Sequence, residues 1–156
     1  MERGLIVIKE PEPHDKILRE AAQQARGSDA PLVVLTFATE RQIGSGIEKF
    51  EALGGVEGVT YDNEAEFVTA AEAALEEYVE EALDGIDVEY EAVVRVIDGG
   101  YGTATLTAAE DFNCDHVFIT SQQRSPTGKA IFGDFSQRVI LNFDGFVTTH
   151  VVRNGT

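Results

Sequence analysis

Apolar and polar positions along the chain switch between two periods, and the switch repeats five times. Gly4-Leu-Ile-Val-Ile8 is a short continuous apolar run, which suits a strand buried on both faces. Pro11 and Pro13 break it, and Ile17, Leu18, Ala21, Ala22 and Ala25 then fall on one stripe of a helix that Gly27-Ser-Asp29 ends. Leu32-Val-Val-Leu-Thr-Phe37 reads as a second strand. Residues 39–61 hold five glycines and few large apolar residues, so a long loop outside the core is expected there. Asp62 is suited to cap the next helix, with Phe67, Ala71, Leu75, Tyr78 and Ala82 inward and Glu64, Glu72, Glu76 and Glu80 outward; Asp84-Gly85 closes it. A third strand spans Val88 to Ile97, and Asp98-Gly-Gly-Tyr-Gly102 turns into a helix through Thr103, Leu106 and Ala109. A fourth strand from His116 to Thr120, a helix from Phe135 to Asn142 and a last strand from Phe146 to Val152 complete the series.

Alternating strand and helix units imply parallel strands joined by right-handed crossovers. The expected fold is therefore a single α/β domain over residues 1–156, an open doubly wound five-stranded parallel sheet with helices on both faces. Ligands in such sheets bind beyond the carboxyl ends of the strands. Four segments converge there: Lys9 to Pro13, Ala38-Thr39, Asp98 to Gly102 and Thr120 to Asp134.

Charge narrows the range of partners. Acidic residues number 28 against 12 basic ones, for a net charge of −16, and the only lysines are Lys9, Lys16, Lys49 and Lys129. Such a surface repels nucleic acid and anionic membranes. The lysine shortage and the spread of acid over every segment point further, to adaptation to molar salt. The opening Met1-Glu-Arg-Gly4 runs straight into a strand pattern with no basic-plus-apolar leader, so a cytoplasmic location is expected. Cys114 stands alone at a helix-to-strand junction and reads as a small filler rather than a nucleophile. His14, His116 and His150 lack metal-ligand spacing, and the glutamates of the second helix lack a calcium-loop pattern and read as a solvated face. No metal site is expected.

The stretch from Gln123 to Asp134, directly after the fourth strand, carries the candidate chemistry. Arg124, Ser125, Thr127, Gly128, Lys129 and Gly133 offer donors and two positive charges where an anion or nucleotide phosphate could sit. Pro126-Thr-Gly-Lys129 is not a Walker loop, because Gln123 stands at the first glycine position and Ala130 where Ser or Thr is needed. Gly100-Tyr-Gly102 lacks the third glycine of a dinucleotide fingerprint at Thr105. Asp134 puts a carboxylate where a phosphate would sit, and as an N-cap it would take the free N–H groups that a phosphate needs. No catalytic Ser or Cys–His arrangement is visible, so no autonomous hydrolase is expected.

The order of elements and this loop together resemble the universal stress protein family over essentially the whole chain. The resemblance is carried by Asp115-His-Val-Phe-Ile-Thr120, by Gly133-Asp-Phe-Ser-Gln-Arg-Val139, by Gly100-Tyr-Gly-Thr-Ala-Thr-Leu106 and by Phe146-Val-Thr-Thr-His-Val151. The Arg124-to-Lys129 form of the loop is similar to that of acidic members from halophilic archaea. The resemblance implies a homodimer formed through the last strand, Phe146 to Val152, and an unknown partner protein. ATP-binding members carry G-x2-G-x9-G-[S/T]; its positions here are Thr120, Gln123, Gly133 and Asp134, so only Gly133 matches. The acid that such members place after the first strand, against the base, falls at Lys9 or Glu10. The expected function is therefore a stress-linked, non-enzymatic regulatory module with a degenerate nucleotide loop and no required cofactor. The alternative is an ATP- or AMP-binding member that hydrolyses Mg-ATP at most slowly.

Overall fold

Strands that run parallel need a crossover to return, and here a helix supplies it wherever the chain is described. The computed structural model describes residues 1–9, 14–41, 43, 64–123 and 133–153. Strands β1 (Gly4–Ile8), β2 (Leu32–Thr39), β3 (Tyr90–Ile97), β4 (His116–Gln123) and β5 (Phe146–Arg153) form one parallel sheet in the order β3-β2-β1-β4-β5. Helices α1 (Asp15–Ser28), α2 (Glu64–Ala82), α3 (Tyr101–Asp111) and α4 (Asp134–Asn142) cover both faces. Every residue of β1 is buried, as the unbroken apolar run requires of a central parallel strand. Among the described residues, no helix is long and apolar enough to cross a membrane.

Side-chain alternation divides the core between the two faces. On one face Ile6, Leu32, Val34 and Phe118 pack against Ile17, Leu18 and Ala21 of α1 and Leu75 and Val79 of α2. On the other, Leu5, Val7, Val33, Leu35, Val117 and Ile119 meet Ala108 and Ala109 of α3 and Val139 of α4. Burying one such aliphatic or aromatic side chain stabilises the fold by about 1.5–3 kcal/mol. The predicted stripe of α1 is buried in full. In α2 the deepest positions are Leu75, Val79 and the following Leu83, while Tyr78 and Ala82 are only half-buried.

One expectation needs correction. Residues 39–61 were expected to lie wholly outside strand and core. Instead Thr39 ends β2, Glu40, Arg41 and Ile43 are helical, and Ile43 is buried against Ala38 and Val94. The apolar spacing there is too short to show a helix, and the burial comes from the neighbouring strand ends. The remainder, residues 44–61, and the proposed cap at Asp62 lie outside the described residues. Helix α1 ends within Gly27-Ser-Asp29 as expected, with Asp29 left-handed (φ 54°) and its N–H returning to carbonyls of the last turn.

The N-terminal end of the sheet is tied at Asp115. Its carboxylate accepts the Glu2 and Arg3 backbone N–H groups at 3.1 Å, and its carbonyl accepts Phe146 N–H at 3.1 Å. Partial burial opposes ionisation, but these N–H donors outweigh it and hold the Asp115 carboxyl below its ordinary range. Burial pushes the Cys114 thiol up to about 11, consistent with a filler and not a nucleophile. The His116 ring stacks on Phe118 at 4.2 Å and bonds Thr148 Oγ1 at 2.7 Å.

Gly145→Ala is expected to cost about 1–3 kcal/mol in urea unfolding, because the new Cβ would stand 2.6 Å from Phe143 and 2.7 Å from the Asp115 carbonyl. An unchanged unfolding midpoint would contradict that packing. Burial lowers the His116 pKa below its ordinary value, against the opposing pull of Asp115. The unfolded chain therefore takes up a proton before the folded one does, and stability falls as pH drops below about 6.5 towards the folded-state value. His116→Phe should flatten that part of the stability profile; an identical slope in both proteins would show that His116 does not contribute to it.

Candidate functional site

The strand order reverses between β1 and β4, so the segments leaving their carboxyl ends diverge and open a crevice. Lys9 is the first residue beyond β1. Its ammonium lies 4.8 Å from the centroid of the Tyr101 ring and 4.3 Å from that of Phe135. Tyr101 opens α3 and Phe135 is the second residue of α4, so one cation joins the N-terminal turns of two helices. Phe37 of β2 meets Tyr101 edge to face at 5.4 Å. His14, buried ahead of α1, meets the Lys9 backbone through Nε2, which lies 2.9 Å from Lys9 N and also contacts the Lys9 carbonyl oxygen, and so fixes where the chain leaves β1.

Beside Lys9 lies a cavity of about 600 Å³ across the carboxyl ends of β1, β2 and β3. Ile8, Phe37, Ala38, Val94, Phe67 and Ala71 give it apolar and aromatic walls, while Thr36, Lys9 and Tyr101 supply its polar groups. Thr36 Oγ1 donates to the Ile8 carbonyl at 2.7 Å, leaving its lone pairs to accept. The volume and the apolar lining suit a small planar ligand. A second hollow, about 710 Å³, lies along α2 and is lined by Glu76, Glu77, Glu80, Glu81, Asp84 and Tyr90. Burial first, then the hydrogen bond to Glu80, push Tyr90 up to about 12, so the phenol stays protonated on a solvated acidic face.

Of the sequence-predicted site residues, Gly133 is the N-cap of α4, in extended conformation and two residues before Phe135. Arg124, Ser125, Thr127, Gly128 and Lys129 lie outside the described residues, as does Glu10. Asp134 is not the N-cap expected of it. It is the first helical residue and it is exposed, and among the described residues no side chain caps the helix. The first-turn N–H groups of α4 are therefore not taken by the Asp134 carboxylate, although its negative charge remains beside them. The N-terminus of α3, with Gly100 in left-handed conformation (φ 70°), also has no side-chain cap among the described residues and no acid in its first turn. Gly102 is required in that turn, since a Cβ there would stand 2.8 Å from the stem of Arg138.

The aromatic residues around Lys9 were not singled out from sequence. Their available signal was position: Phe37 near a strand end, and Tyr101 and Phe135 in the opening turns of helices. Thr120, at the first of the four loop-motif positions, points to the α1 face, where it is 3 % exposed. Its Oγ1 and Nδ1 of His150, its register partner on β5, are both buried without a hydrogen-bond partner among the described residues. No group of three metal-ligating side chains occurs among the described residues.

Known structures share this architecture. A universal stress protein from Archaeoglobus fulgidus superposes with a TM-score of 0.64 at 19% identity, covering 96% of this chain and 98% of that one. The universal stress protein from the same organism in complex with dAMP gives 0.57 at 16%, covering 96% of each chain. A universal stress protein in complex with cAMP gives 0.61 at 12%, covering 96% of this chain and 95% of that one. No curated protein sequence matches the chain significantly. The sequence profile described as "Universal stress protein family" matches residues 1–149. With nearly its whole length matched, this chain belongs to the universal stress protein family.

Proposed function

We propose that the protein is a homodimeric, non-enzymatic regulatory module linked to stress, whose copies join through β5. One observation carries the reading: in a chain of net charge −16, the edge strand Phe146–Arg153 contains no acidic residue. Phe146 is 70 % and Val151 41 % exposed on it, and Leu141 of the preceding helix is 78 % exposed. An edge strand presents unpaired N–H and C=O groups, which natural sheets usually shield with charge. The opposite edge, β3, is shielded in that way by exposed Glu91 and by Arg95, which pairs with Asp111 at 2.7 Å. A two-fold axis at β5 sets the same apolar strip against itself in both copies and removes the edge. Repulsion between two acidic bodies opposes this union, and salt relieves it, since the Debye length falls to about 3 Å at 1 M. That dependence agrees with a protein adapted to molar salt and working inside the cell.

A second reading is supported by the crevice itself. Its cation, aromatic walls and converging helix N-termini suit a purine nucleotide, and related structures hold dAMP and cAMP. In this reading Gly133 and the loop residues Arg124, Ser125, Thr127, Gly128 and Lys129 surround the phosphate, and occupancy regulates the dimer. The reading includes no hydrolytic step.

Val151→Lys is expected to raise the dimer dissociation constant at least about tenfold, about 1.4 kcal/mol, measured by light scattering in molar KCl. Because lysine lowers the net negative charge, added repulsion between acidic bodies cannot cause the loss. A parent protein that is monomeric at every concentration and salt would contradict the dimer. Nucleotide binding predicts a heat of binding for purine mononucleotides in the same buffer, weakened by Arg124→Ala; no heat with folded protein would remove that reading.

A further inference from the structure

We propose that the two copies meet antiparallel along β5 with the two-fold axis at Thr149, so that Val147 pairs with the partner's Val151 and Thr148 with the partner's His150. The inference rests on the homodimer reading and names the register in which the copies join.

A two-fold axis runs the second edge strand antiparallel to the first, so the strand must be complementary to itself read backwards. Phe146-Val-Thr-Thr-His-Val-Val152 has that property: two apolar residues, three polar ones and two apolar ones, symmetric about Thr149. Backbone geometry limits the axis independently. The Phe146 N–H bonds the Asp115 carbonyl, so Phe146 turns its polar groups towards β4. Alternate residues turn theirs the other way, which leaves the N–H and C=O groups of Val147, Thr149 and Val151 on the free edge. An antiparallel ladder forms only where outward residue meets outward residue, and that places the axis on a residue, not between two.

Three residues near the middle of the strand could lie on such an axis. At Thr148 the axis would set Val147 against Thr149 and Phe146 against His150. At His150 it would set Val151 against Thr149, Val152 against Thr148, and two imidazole rings against each other. At Thr149 every apolar residue meets an apolar one. Phe146 then faces the partner's Val152 on the α1 side of the sheet, and Val147 faces the partner's Val151 on the other. The exposed side chains of Phe146 and Val151 are each covered by a valine. Thr149 exchanges N–H···O bonds with its own counterpart at the axis.

Disulfide trapping tests the register. With the axis at Thr149, Thr148 and the partner's His150 are a non-hydrogen-bonded pair with Cα atoms about 4.5 Å apart. That lies within the reach of a disulfide, about 4.4–6.8 Å. Thr148 and its own counterpart would stand on the diagonal, about 7–8 Å apart, as would the two copies of His150. Thr148→Cys and His150→Cys are prepared separately, mixed under reducing conditions in molar KCl and oxidised, and the linked chains are identified by mass. Cys114 is buried and does not compete. The expected result is a link between the two variants in the mixture and none in either variant alone. A link in Thr148→Cys alone or in His150→Cys alone moves the axis to that residue and overturns the inference while leaving the β5 dimer. No link in any combination also overturns it. Light scattering of the parent protein then separates a dimer joined in another way from a monomer, which removes the homodimer reading as well. Should a variant fail to fold by circular dichroism, the parent protein tests the same pairing by NMR. In dimers with one isotope-labelled copy, the α-proton of Thr148 should contact that of the partner's His150, and any other pattern along β5, or none, overturns the inference.

Discussion

The pairing of β1 with β2 on one side and β4 on the other organises the molecule. Gly4 to Ile8 are in register with Leu32 to Thr36, and Gly4 to Ile6 with His116 to Phe118. Since β1 is buried on both faces, its backbone polar groups depend on those two ladders, and both helical layers pack against its side chains. The chain that leaves β1 must therefore emerge between the neighbours of a strand that cannot shift. A register slip of one residue would turn Leu5 and Val7 to the opposite helices and displace every contact behind them. Lys9 takes its position from this constraint, and so does the crevice beside it.

Electrostatics shape the surface in the opposite sense from the core. Acid covers the outer face of α2 and much of the rest, yet the edge of β5 has none and the crevice holds a lysine between two aromatic rings. The first is where the proposed homodimer requires attraction to a second copy, and the second suits the anionic nucleotide of the alternative reading. Low-salt conditions strengthen the attraction at Lys9 but also the repulsion between copies. Molar salt would relieve that repulsion in the proposed homodimer.

Much of the fold was legible because its burial is written as pattern. The apolar run at β1, the α1 stripe and the five repeats of strand and helix set fold class and core, and the sheet has the expected parallel architecture. What escaped depended on neighbours remote in sequence. Ile43 is buried by Ala38 and Val94, which a local reading of a glycine-rich stretch does not bring together. Asp134 has the chemistry of a cap, but Gly133 takes the extended cap position and moves the carboxylate one residue into the helix. The candidate site was read through its loop, as departures from a phosphate-binding pattern. The aromatic setting of Lys9 arises only when β1, β2, α3 and α4 meet, and no spacing along the chain announces it.

The central claim is that two copies of the chain join through β5, the edge strand that carries no acidic residue. Amide hydrogen exchange in molar KCl over a series of protein concentrations tests it most directly. The account predicts that the β5 amides pointing away from β4 exchange slowly in concentrated protein and quickly on dilution, while the amides of β1 stay protected throughout. Equally fast exchange of those β5 amides at every concentration would contradict it.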